Sequence, residues 1–150
     1  MRCRGDRGQV GGIEAIPFGL LIFVVGALLI TNAWGVVDAK FATDAAARQA
    51  ARTFVEGTDT DRALRDAEAA AVDALAGHGR DANRATVRAI GEPSLVRCER
   101  ATFEVVYEVP AVALPFIGGY GSAPFVVRST HSEIVDPFRS GIDGQAEDCL

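Results

Sequence analysis

Few residues in this chain are of types and spacings that could do chemistry. There are two histidines. His78 lies between Gly77 and Gly79 and reads as a turn residue, not a ligand. His131 falls in a β-branched run and reads as a side chain on a half-exposed sheet face. The sequence contains no HExxH, CxxC or GxSxG, and Gly118, Gly119 and Gly121 lack dinucleotide-binding spacing. With no nucleophile–base pair, ligand cluster or phosphate loop in view, we expect no enzyme, no bound metal and no cofactor.

Three cysteines and one carboxylate stand out by position. Cys98 and Cys149 could pair in an oxidising compartment, closing a loop of about 50 residues. In the chain-entropy model such a bond contributes about 4 kcal/mol. Two unrelated thiols is the alternative, since spacing cannot establish the geometry a bond needs. Cys3 lies before the apolar stretch described next. Glu14 opens that stretch, where a carboxylate is costly to bury. It either sits at headgroup level near a helix start, which suits the macrodipole, or pairs with a positive group of a neighbouring subunit.

The element that positions these residues is Ile13–Val37. After Glu14 it carries no ionisable residue until Asp38. From Ala15 to Val37 it would form a helix of roughly 34 Å, enough to cross a hydrocarbon core of about 30 Å with some tilt. Pro17 is compatible with the first turn of that helix. The first eight residues carry Arg2, Arg4 and Arg7 against Asp6. Positive charge on that side predicts a cytoplasmic N-terminus and an outward-facing C-terminal part. The whole chain has a net charge of −5, so its long C-terminal part is acidic and offers no electrostatic reason to bind nucleic acid.

Beyond the apolar stretch the helical pattern continues. Asp38–Val55 is alanine-rich, free of glycine and proline, and ends at Gly57, a C-cap by position. Val37, Phe41 and Ala45 recur at four-residue spacing, and Ala47, Ala50, Ala51 and Phe54 extend an apolar side. Arg48 and Arg52 can pair with Asp44 and Glu56. A cleaved signal peptide is therefore disfavoured, because a cut near Thr31-Asn32-Ala33 would fall inside a longer helix. Thr58, Asp59 and Thr60 offer N-caps for a second helix, with Leu64, Ala67, Ala71 and Leu75 on one face and a stop at Gly77-His78-Gly79.

From Ala85 the period changes to two. Strands are expected at Ala85–Ile90, Leu95–Cys98, Thr102–Val109 and Phe125–Val135. Thr102–Val109 is the clearest, with Phe103, Val105, Tyr107 and Val109 on one face. The stretch from Pro110 to Pro124 reads as a long, apolar hairpin connection, and an exposed apolar loop can contact lipid or another subunit. The tail from Asp136 is expected to be loosely ordered apart from any bond through Cys149. The fold class is α+β: a long N-terminal helix, a second helix and a small antiparallel sheet. The divisions are a basic cytoplasmic leader (1–12), a transmembrane helix (13–37), an extracytoplasmic domain (38–135) and a C-terminal tail (136–150).

The segment RGQVGGIEAIPFGLLIFVVG resembles the start of TadE-like minor pilins (pseudopilins) of tight-adherence (Tad/Flp) pilus systems. There a basic, glycine-bearing leader precedes a glutamate and a continuous apolar helix. The likeness extends through DAAARQAARTF, TFEVVYEVPAVALPFIGG and VDPFR. It implies a pilin-like, non-enzymatic protein of the bacterial inner membrane. The implied partners are the lipid bilayer, other pilin-like subunits, the pilus assembly machinery and a prepilin peptidase. Cleavage between Gly8 and Gln9 is the candidate processing step, and Glu14 the candidate assembly carboxylate. In the family pattern the glutamate is fifth after the cut, whereas Gly8 places Glu14 sixth. The alternative is a secreted or membrane-tethered protein that uses the apolar segment for export alone.

Overall fold

The computed structural model describes residues 15–110, 125–145 and 149. Gly8, Gln9, Glu14, Cys3 and the apolar connection at 111–124 lie outside the described residues. The architecture is α+β. Helix α1 (Ala15–Glu56) and helix α2 (Thr60–Gly77) are followed by a short 3₁₀ turn, Ala82–Arg84. Three strands complete the chain: β1 (Ala85–Ala89), β2 (Arg100–Val109) and β3 (Phe125–Ile134). They form one antiparallel sheet in the order β1-β2-β3.

Helix α1 runs 42 residues without a break. Its first part exposes apolar side chains on every side, whereas its second part buries one face. That face is Ala39, Ala42, Thr43, Ala46, Ala47, Ala50, Ala51 and Phe54. Its alanines let α2 and the sheet approach closely, and α1 packs against α2, β2 and β3. The expected face through Val37 and Phe41 is corrected here: both side chains are exposed. The spacing was helical, but the bulky residues belong to the side turned away from the domain, and the small ones make the core. The exposed pairs Arg48–Asp44 and Arg52–Glu56 form as the i,i+4 spacing predicts.

The turn between the helices is set by one close approach. A Cβ on Gly57 would lie 2.4 Å from the Ala63 Cβ. Gly57 is therefore required by the contact with α2, not by a left-handed cap. Asp59 is the N-cap of α2 and accepts a hydrogen bond from the Arg62 N–H at 2.8 Å. The face that α2 buries is Ala63, Ala67, Ala71 and Leu75, with Leu64 at its margin. At the other end, Gly79 adopts φ +68°. The Arg80 N–H returns to the Leu75 carbonyl at 3.0 Å and the Gly79 N–H to that of Ala76 at 2.8 Å, a Schellman ending.

On β2 the alternation seats Phe103, Val105, Tyr107 and Val109 against the helices. Phe103 meets Phe54 of α1, ring centroids 5.5 Å apart. The expected strand at Leu95–Cys98 is not one. Cys98 has φ +66°, and the Glu99 N–H donates to the Val96 carbonyl, so the chain turns there. Leu95 is nevertheless buried, a core plug on a loop. The end of β3 falls one residue short of Val135, which is fully buried and donates to the Glu99 carbonyl.

The described part of the tail is tied down, not loose. Val96 bridges Asp143, and Arg97 donates to the carbonyls of Arg139 and Gly144. The Arg139 guanidinium donates to the carbonyls of Val55 and Glu56, the open C-terminal end of α1. It thereby supplies the cation and the donors that a helix C-terminus lacks. Cys98 and Cys149 are joined by a disulfide, with Cα atoms 5.0 Å apart.

Candidate functional site: the junction between the apolar helix and the domain

The first part of α1 is long and apolar enough to cross a membrane, and none of that window is buried inside the protein. Its polar members are accommodated within the helix. The Thr31 hydroxyl donates to the Ala27 carbonyl and the Asn32 amide to that of Leu28, each at 2.9 Å. Neither side chain therefore has to carry an unmet donor into an apolar surrounding.

Where this segment meets the domain, α1 is braced on two sides. On one side is Arg80, placed by the ending of α2. It pairs with Asp38, one residue past the apolar run, and its side chain is mostly buried. The same guanidinium lies 3.4 Å from the Gly35 carbonyl and 5.9 Å from the centre of the Tyr107 ring. On the other side is Lys40, the chain's one lysine. Its ammonium donates to the Arg128 carbonyl and, at 2.9 Å, to the Ser129 hydroxyl. Ser129 is buried and shares a 3.0 Å hydrogen bond with Thr43, whose hydroxyl also reaches the Ala39 and Lys40 carbonyls. These contacts hold the apolar part of α1 at a set orientation to the sheet. Lys40 also occupies a carbonyl on the edge strand β3, where an open row would invite another chain.

Between α1 and the first residues of β3 lies a groove of about 420 Å³, lined by Val36, Val37, Lys40, Phe41, Val126, Val127 and Arg128. Its walls are apolar and its charged members are both cations. Lys40 beside Ser129 has the residue types of a serine–lysine pair. Ser129, however, is 3% exposed, and its hydroxyl is held by both Lys40 and Thr43. Among the described residues it is a buried link between α1 and β3.

The two histidines stay apart. His78 caps α2 through its backbone, and His131 on β3 lies 3.0 Å from the Glu133 carboxylate. Among the described residues no three His, Cys, Asp or Glu side chains are grouped to hold a metal ion. The structure brings together Cys98 and Cys149, as a staple between the approach to β2 and the tail. Lys40, Arg80, Ser129 and Val126 were not singled out by the sequence reading. Lys40 alone left a signal, as a unique lysine three residues past the apolar run; the others depend on partners some 40 to 90 positions away.

No family model, curated protein or solved structure matches the chain.

Proposed function

We propose that this chain is a non-enzymatic, single-pass membrane protein, pilin-like, that takes part in assembling a tight-adherence type pilus or a related secretion filament. The observation that carries the reading is the continuity of α1. One helix has an outward apolar half and a domain-packed half, with no break at Val37 or Asp38. A disposable export signal has no reason to share a helix with the core of the exported domain. A subunit that must hold its domain at a defined angle to a shared helical bundle does. In this reading the domain is extracytoplasmic, where the Cys98–Cys149 bond is stable, and the arginine-rich start faces the cytoplasm. Glu14 enters the bundle by pairing with a positive group of a neighbouring subunit.

The test is a Glu14→Ala variant expressed in cells that carry the assembly system. Membrane insertion is expected to be retained and entry into the assembly lost; normal assembly would remove the pairing role. N-terminal sequencing of the membrane-bound protein gives the companion measurement. A start at Gln9 supports a processed pilin, and a start at Trp34 would replace the reading with secretion.

A further inference from the structure

We propose that the groove between α1 and the start of β3 is seated in the headgroup layer of the bilayer, so that the domain rests on the membrane and does not stand off it. The proposal rests on reading α1 as a membrane span, and it adds a second contact made by a strand far away in sequence.

Height along α1 carries the argument. Ile16–Val37 is a run of 22 residues with no ionisable side chain, roughly 33 Å of helix against a hydrocarbon core of about 30 Å. Val37 then lies at the boundary of the core. Phe41 stands one turn further, about 6 Å on, inside a headgroup layer some 5–7 Å deep. The groove fixes what else lies at that height: Val126, Val127 and Arg128 line it across from Val36, Val37, Lys40 and Phe41.

The residues at this level have the character of an interface. Trp34 is 72% exposed, Phe41 67%, Val126 53% and Phe125 51%. In water this would be an exposed apolar edge on the domain. At a bilayer surface aromatic rings are favoured at the boundary, and lysine and arginine reach phosphate while their stems stay in the apolar zone. The lining holds Arg128, Lys40 with its ammonium bonded to the Arg128 carbonyl and the Ser129 hydroxyl, and no carboxylate, on a chain of net charge −5. That local sign suits lipid phosphate. The braces at Asp38–Arg80 and Lys40–Ser129 fix the tilt of the domain, so insertion of the span brings β3 down to the same layer.

The experiment moves the chain's one tryptophan. A Trp34→Phe, Phe125→Trp double variant of the full chain is reconstituted in phosphatidylcholine–phosphatidylglycerol vesicles, with and without lipids brominated at the headgroup end of the acyl chains. A second variant, Trp34→Phe with Val126→Trp, guards against a local defect at one site. Both are expected to show blue-shifted emission and to lose most of it to the brominated lipid. Water-like, unquenched emission from both, with Trp34 of the native chain quenched, would overturn the seating while leaving the span in place. An unquenched native Trp34 would remove the span and the seating together. A blue shift that ignores bromine and grows with protein density would overturn the seating in favour of a second copy covering the groove.

Discussion

Between Ala15 and Asp38, α1 turns leucine, isoleucine, valine and phenylalanine outward on all sides; between Ala39 and Glu56 it buries alanine and pairs its charges in water. The backbone is the same, and the side-chain logic is opposite. A helix whose surroundings are apolar needs bulk on every face and gains nothing from a polar stripe. A helix at the centre of a small domain needs one face of small residues, so that neighbouring backbones approach, and a solvated face of charges. Because the two regimes meet inside one helix, whatever fixes the domain against the lower half also fixes the direction of the upper half. Arg80 and Lys40 sit at that meeting point.

The sharpest way to separate the halves is to remove the same side chain from each. Phe54 is fully buried and packs against Phe103. Phe54→Ala should cost about 3–5 kcal/mol of domain stability, the range for a buried phenylalanine in a core with few other large side chains. Phe23→Ala removes an exposed ring and should change domain unfolding by less than about 0.5 kcal/mol. Urea unfolding of the full chain in detergent micelles, followed by circular dichroism, compares them. Equal losses would break the division of α1 into two environments.

A charge tests the upper half in return. Leu29 is exposed near the middle of the apolar run. Leu29→Arg should weaken insertion by about 3–4 kcal/mol on the translocon scale and leave the unfolding midpoint of the detergent-solubilised domain unchanged. Carbonate extraction of membranes reads the first effect and urea unfolding the second. Undiminished insertion would argue against a span centred on this run.

How far these halves could be read from sequence depends on the range of the forces involved. The unbroken α1, the Ala67–Ala71–Leu75 face, the alternation in β2 and the Arg48–Asp44 pair all follow from local spacing, and all are present. The failures need distant partners. Leu95–Cys98 has strand-like composition but is held as a turn by Val135 and by tail residues up to Asp143, contacts that no local window contains. The ordering of the tail hangs on Arg97 and Arg139, whose acceptors are backbone carbonyls and so leave no trace in residue type. Four-residue spacing groups Phe41 with Val37 and Ala45, whereas the face that α2 and the sheet cover is the alanine-rich one through Ala39, Ala42, Ala46 and Ala50.

Glycine gives the smallest but most local contrast. Gly57 ends the lower half with Ala63 so close that an added Cβ would fall 2.4 Å from the Ala63 Cβ and 3.1 Å from the Phe54 carbonyl oxygen. Gly57→Ala must therefore push α2 away from α1, at a cost of about 1–3 kcal/mol for overpacking, readable as a lowered urea midpoint. Gly26, in the upper half, has nothing within 4 Å. Within a single chain Gly26→Ala should leave the domain's midpoint where it is, and the helix itself should be no weaker, since alanine is the better helix former. A small residue with no neighbour in its own chain is still where a second helix could approach most closely. Loss of assembly in Gly26→Ala, with insertion and stability intact, would mark this face of the upper half as packed against another subunit, while unaltered assembly would leave Gly26 facing lipid.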